Sequence, residues 1–122
     1  MRKLAMEYIV VKERKTDYPD PIIIKKGDIV ITYEKCEVIG WDNWIKCEIN
    51  NKTGWVPIQI LKMIDNRNSI ANEDYTANEL TIKIGDRFIK ENEINGWSFG
   101  FLKNKPKNKG WIPNENIQIM ID

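Results

Sequence analysis

The chain has 122 residues, with 19 Lys and Arg against 18 Asp and Glu and a formal charge of +1, so no global field directs it to nucleic acid or to an anionic membrane. That length holds one domain or two very small ones, and no apolar run approaches the ~20 residues that span a bilayer. There is no histidine, no Gly-x-Ser-x-Gly elbow and no phosphate-cradling glycine loop, so neither catalytic residues nor a metal or cofactor site is expected, and an enzyme is not.

In chain order, the segment from Met1 to Glu7 carries no apolar stretch of signal-peptide length, and a cytoplasmic location is the expectation. The run Tyr8-Ile9-Val10-Val11 reads as a short strand. The next strands are predicted over Asp28–Glu34, Trp44–Ile49 and Thr53–Pro57, with Asn50-Asn51-Lys52 as a tight turn because Asn tolerates positive φ. Further strands are predicted near Ser69–Ala71, Asp86–Glu91, Trp97–Lys103, Lys109–Ile112 and Ile117–Ile121. Between them Asp65-Asn66-Arg67-Asn68-Ser69 reads as a short polar join that limits the range of inter-domain orientations. No stretch keeps a capped 3.6-residue period, so no long helix is predicted. Cys36 and Cys47 lie nearly symmetrically about a turn at Gly40–Asp42. In a reducing compartment they read as buried thiols, with a disulfide as the minor alternative.

The chain also repeats itself. Gly54-Trp55-Val56-Pro57 returns as Gly110-Trp111-Ile112-Pro113, Gly27-Asp28 as Gly85-Asp86, and Gly40-Trp41 as Gly96-Trp97. Each copy closes on an apolar run, Ile60–Ile64 and then Ile117–Ile121. Self-similarity at this period marks two copies of one β unit, placed at residues 1–65 and 66–122. Charge is balanced within each, 11 basic against 10 acidic residues and then 8 against 8. A unit near 60 residues buries only about 60% of its unfolded surface and is marginal alone. Predicted cores are Ile9, Val11, Ile24, Ile29, Ile31, Ile45, Cys47, Val56 and Leu61, then Leu80, Ile82, Ile84, Phe88, Phe101, Ile112 and Ile117.

These motifs, in this order and twice, resemble the Src-homology-3 (SH3) family of small five-stranded barrels, most closely its bacterial variant form, in tandem. The second copy carries Asp74-Tyr75, Glu79-Leu80, Gly85-Asp86, Trp97 and Gly110-Trp111-Ile112-Pro113, and the first matches from Gly27-Asp28 onward. The resemblance implies an all-β fold of two SH3-like barrels, each with one 3₁₀ turn before its last strand. It also implies a groove floored by Trp, Pro and Tyr, beside a long loop whose acids hold a basic ligand residue. Such grooves take polyproline helices. Carried over by position, the first groove would use Trp44, Pro57 and Tyr18 with the acids Glu13, Asp17 and Asp20, and Trp41 would widen it. The second would use Trp97, Pro113 and Tyr75 with the acids Glu73, Asp74 and Glu79. The family's groove Tyr after the Pro is Ile60 in one copy and Asn116 in the other, which removes stacking area.

Trp44 and Trp97 are expected to be exposed, and Trp55 and Trp111 to pack partly on a barrel. An exposed Trp needs a cover. The first reading is therefore a protein-interaction module that captures a peptide segment of a partner, a proline-containing one included. The alternative is an assembly protein whose aromatic surfaces are buried between copies or in a homodimer; a monomer or weak homodimer is expected. Two further readings are cell-wall glycopeptide binding and nucleic-acid binding through the four lysines of Lys103–Lys109, disfavoured because no aromatics interleave them.

Overall fold

The computed structural model describes residues 6–16, 20–35 and 43–121. It is all-β, with twelve strands among the described residues. These are β1 (Met6–Val10), β2 (Ile23–Ile24), β3 (Ile29–Lys35), β4 (Trp44–Ile49), β5 (Lys52–Pro57), β6 (Leu61–Met63), β7 (Asn68–Ala71), β8 (Tyr75–Thr76), β9 (Arg87–Ile94), β10 (Trp97–Leu102), β11 (Lys109–Pro113) and β12 (Ile117–Ile119). A 3₁₀ turn precedes β6 (Ile58–Ile60) and another precedes β12 (Asn114–Asn116).

Two five-stranded antiparallel sheets carry the fold, ordered β5-β4-β3-β7-β6 and β11-β10-β9-β1-β12, with β2 and β8 as a separate pair. The tight turns follow from local chemistry. Asn50 and Asn51, both at positive φ (53° and 64°), close the β4–β5 hairpin; Asn95 and Gly96 (51° and 85°) close β9–β10. Two consecutive positive φ values match the right-handed strand twist, and Asn and Gly tolerate them.

The chain divides into two compact units that differ from the expected division at residues 65 and 66. One comprises Met1–Tyr18 with Asn78–Asp122, the other Pro19–Ala77. The cause is an exchange of first strands. The N-terminal strand β1 lies between β9 and β12, with Tyr8 opposite Phe88 and Ile119. The first strand of the second repeat, β7, lies between β3 and β6, with Ile29 opposite Ile70 and Leu61 opposite Ala71. The two placements are equivalent bond for bond. Gly85 N donates to Val10 O and Val10 N to Asp86 O; Gly27 N donates to Ala71 O and Ala71 N to Asp28 O, all at 2.9 Å.

The predicted join explains the exchange. Residues 65–68 are no linker: they form the tight β6–β7 turn. Asp65 Oδ1 accepts from the backbone N–H groups of Arg67 (2.8 Å) and Asn68 (2.9 Å), and these bonds hold its carboxyl below the usual range. An Asp that hydrogen-bonds the backbone two residues on is a turn-former. With so short a loop, closing a local hairpin costs less entropy than reaching a distant sheet. β7 therefore completes the sheet it has just left, and β1 fills the vacancy between β9 and β12.

The core of the discontinuous unit is Val10, Leu80, Ile82, Phe88, Leu102 and Ile112, with Tyr8 and Ile117 against it. That of the continuous unit includes Ile22, Ile24, Val30, Cys47, Val56 and Ile60. Several predicted core residues fall one position out of phase. Val11, Ile29 and Ile31 are exposed, while Val10, Val30 and Thr32 are buried; Ile84 is exposed for another reason, because it lies in the turn before β9. In a β-strand, side chains alternate between faces, so a one-residue slip in phase moves every one of them. Burial of Cys47 pushes its thiol up to about 12, consistent with an unreactive side chain. Cys36 lies outside the described residues.

Candidate functional site

Trp97 opens β10 and Trp44 opens β4, each directly opposite the proline that ends the next strand: Pro113 and Pro57. The repeat thus builds the same floor twice. The surroundings differ. Trp44 is 5% exposed and Pro57 is fully buried, so the Trp expected to be open in the first copy is a packed residue. Trp97 and Pro113 are only half-buried.

Other elements hold Trp97 and Pro113 in place. Asn114 N donates to Gly96 O (3.0 Å), and the Ser98 hydroxyl donates to Asn114 Oδ1, which ties the 3₁₀ turn to the start of β10. Asn116, at the position of the missing groove Tyr, is buried instead of lining a wall. Its Nδ2 donates to Lys12 O (2.9 Å) and so fixes the segment after β1.

That segment brings the charge. Arg14 is pinned to Ile82 by two backbone bonds, Arg14 N to Ile82 O (3.0 Å) and Ile82 N to Arg14 O (2.9 Å). Its guanidinium carbon lies 5.0 Å from the Trp97 ring centroid and its Nη1 pairs with Glu79. The two side chains are 34% and 18% exposed. A guanidinium over an indole contributes about 0.5–2 kcal/mol according to its desolvation, and the charged hydrogen bond adds direction. The face therefore combines an aromatic floor, a carboxylate and a cation.

The exchange redistributes the expected site residues. Trp97, Pro113 and Glu79 come together, and Glu13, expected beside Trp44, lies in the same unit as they do. Tyr75, Glu73 and Asp74, expected beside Trp97, belong to the Pro19–Ala77 unit. There Tyr75 is buried, its hydroxyl donating to Trp55 O (3.2 Å), and Asp74 Oδ1 accepts from Lys26 N (2.8 Å). Asp20 is exposed and pairs with Lys52 at 2.6 Å. Asp17, Tyr18 and Trp41 lie outside the described residues. Arg14 was not anticipated, because in linear order it belongs to the first repeat; its approach to Trp97 follows from the position of β1.

Among the described residues no group of three or more metal-ligating side chains occurs, and no helix is long and apolar enough to cross a membrane. The all-β architecture with five-stranded sheets is that of the SH3-like small barrels, a class that generally serves as non-catalytic modules of protein interaction. Within that class, residues 8–64 match the family described as the variant SH3 domain. The matched stretch begins in β1 and ends after β6, and so runs across both structural units. No curated protein and no solved structure matches the chain.

Proposed function

We propose that the chain is a tandem pair of SH3-like domains, and that the discontinuous one captures a peptide segment of a partner protein on the face around Trp97 and Pro113. The observation that carries this reading is the half-buried Trp97 beside the Glu79 carboxylate, an aromatic floor with a charged edge. An extended peptide suits such a face, since alternate side chains can sit on the floor while the backbone stays solvated. Without the usual groove Tyr, affinity for a short peptide is modest, about 1 μM or weaker (on the order of −8 kcal/mol), because ordering cancels much of the contact energy. The reading places the protein in the cytoplasm and gives it no catalytic step. Partners captured from lysate by wild type should be lost with Trp97→Ala, once circular dichroism shows that variant folded. An unchanged partner list would refute the reading.

A second reading, assembly, draws on the outer sheet face of the Pro19–Ala77 unit, where Ile29, Ile31, Tyr33 and Trp55 are exposed. It predicts a dimer by light scattering that Ile29→Lys with Ile31→Lys dissociates. A monomer at high protein concentration would count against it.

A further inference from the structure

The face around Trp97 already has an occupant. Arg14 lays its guanidinium over the Trp97 ring at 5.0 Å and pairs with Glu79, the two contacts a basic residue of a bound segment would need there. The backbone around both partners is fixed. Arg14 is bonded in both directions to Ile82, and Leu80 N, next to Glu79, donates to Trp111 O at 3.1 Å. The side chain itself is held less firmly. It is one-third exposed, and it touches the Trp97 ring and the Glu79 carboxylate.

Resting on the peptide-binding reading, we propose that Arg14 is an internal competitor for the Trp97–Glu79 site, a latch that a partner's cation must displace. A tethered side chain acts at an effective concentration on the order of mM or above. A ligand therefore meets a site that is open only part of the time, and its apparent affinity falls by that open fraction. Displacement is affordable because nothing is stranded. Arg14 would move into water, and Glu79 would exchange one cation for another instead of being left unpaired. The latch comes from the segment after β1, so strand exchange supplies this barrel with a loop residue of the other repeat.

The test uses the full chain and N-acetyl-L-argininamide as the probe, with N-acetylglycinamide as control. Binding is read from the Trp97 indole ¹H–¹⁵N resonance. Arg14→Ala should bind the probe at least about fivefold more tightly than wild type, the gain expected from freeing a site that is mostly occupied. Arg14→Ala with Glu79→Gln should lose the gain. Arg14→Gln, which keeps the aliphatic stem, should show the same increase if the alanine variant folds poorly. Equal midpoints for wild type and both single variants, or no binding by either, would overturn the latch. Tighter probe binding together with a partner list unchanged by Trp97→Ala would keep the latch and discard the peptide-binding reading. Partners lost with Trp97→Ala but no gain in probe affinity would do the opposite.

Discussion

Trp44 and Trp97 hold the same place in the two repeats, face equivalent prolines and start equivalent strands, yet Trp44 is buried and Trp97 half-open. One motif later the order reverses: Trp55 is 39% exposed and Trp111 7%. The second contrast has a visible cause. Trp111 lies opposite Phe99, with ring centroids 5.0 Å apart and planes tilted by 57°, whereas Trp55 lies opposite Lys46. Tilted aromatic pairs are favourable and exclude water from both rings. A motif thus sets where a side chain sits on its strand, and the residue across the ladder sets whether it is covered.

The cores show the same pairing of sizes. Phe88 in one unit corresponds to Val30 in the other, and Gly100 to Cys47. A Cβ on Gly100 would meet Ile89 O at 1.9 Å and Phe88 Cζ at 3.0 Å, beside the irregularity in register between Phe99 and Gly100. The large ring and the absent side chain therefore go together in one unit, and the smaller Val30 goes with a buried Cys47 in the other.

The largest effect that would break or sharpen this comparison comes from removing residues 1–11. The discontinuous unit loses the strand between β9 and β12, while the continuous one keeps all five of its own. Amide exchange should show residues 78–121 unprotected and residues 20–77 still protected; the reverse pattern would restore linear domains. Next, Trp44→Ala should destabilise by about 3–5 kcal/mol, as for other buried aromatic truncations. Trp97→Ala should cost less than half as much, which denaturant melts can separate. Gly100→Ala should cost about 3 kcal/mol because backbone must move. Cys47→Ala should cost about 1 kcal/mol, so similar values at the two sites would contradict the pairing of sizes.

The smallest effect is on acidification. Glu7 on β1 is held below the ordinary carboxylate range chiefly by its bond to Arg87, with Lys103 adding to it, and Asp65 by the backbone N–H of Arg67. A carboxyl with a lowered folded pKa stabilises fully above its unfolded value, and that contribution disappears as pH falls through the folded one. Asp65 is exposed and Glu7 only half-buried, so solvent screens both and the loss is small. Glu7→Gln should flatten the acid limb of the discontinuous unit and Asp65→Asn that of the other, followed by residue-resolved amide exchange against pH.

Much of the architecture was legible in the sequence because it is local. The spans of β4, β5, β10 and β11 follow alternation and turn chemistry to within a residue, and the Asn50-Asn51 turn follows from tolerance of positive φ. Strand phase at Val10 and Val30 was not, since a short β-branched run is apolar on both faces and alternation cannot choose between them. The exchange was hidden for a related reason. Asp65-Asn66-Arg67-Asn68 serves equally as a polar linker or as an Asp-capped turn, and only pairing partners distinguish the two. Of the candidate site, the placement of Trp97 opposite Pro113 was readable from the motif. Arg14 was not, because its approach depends on which barrel receives β1.

The exchange of first strands is the central claim, and nuclear Overhauser contacts across the sheets test it most directly. The account predicts cross-strand contacts from Tyr8 to Phe88 and Ile119, and from Ile70 to Ile29. Contacts from Tyr8 into β3 and β6, with Ile70 reaching β9 instead, would contradict it.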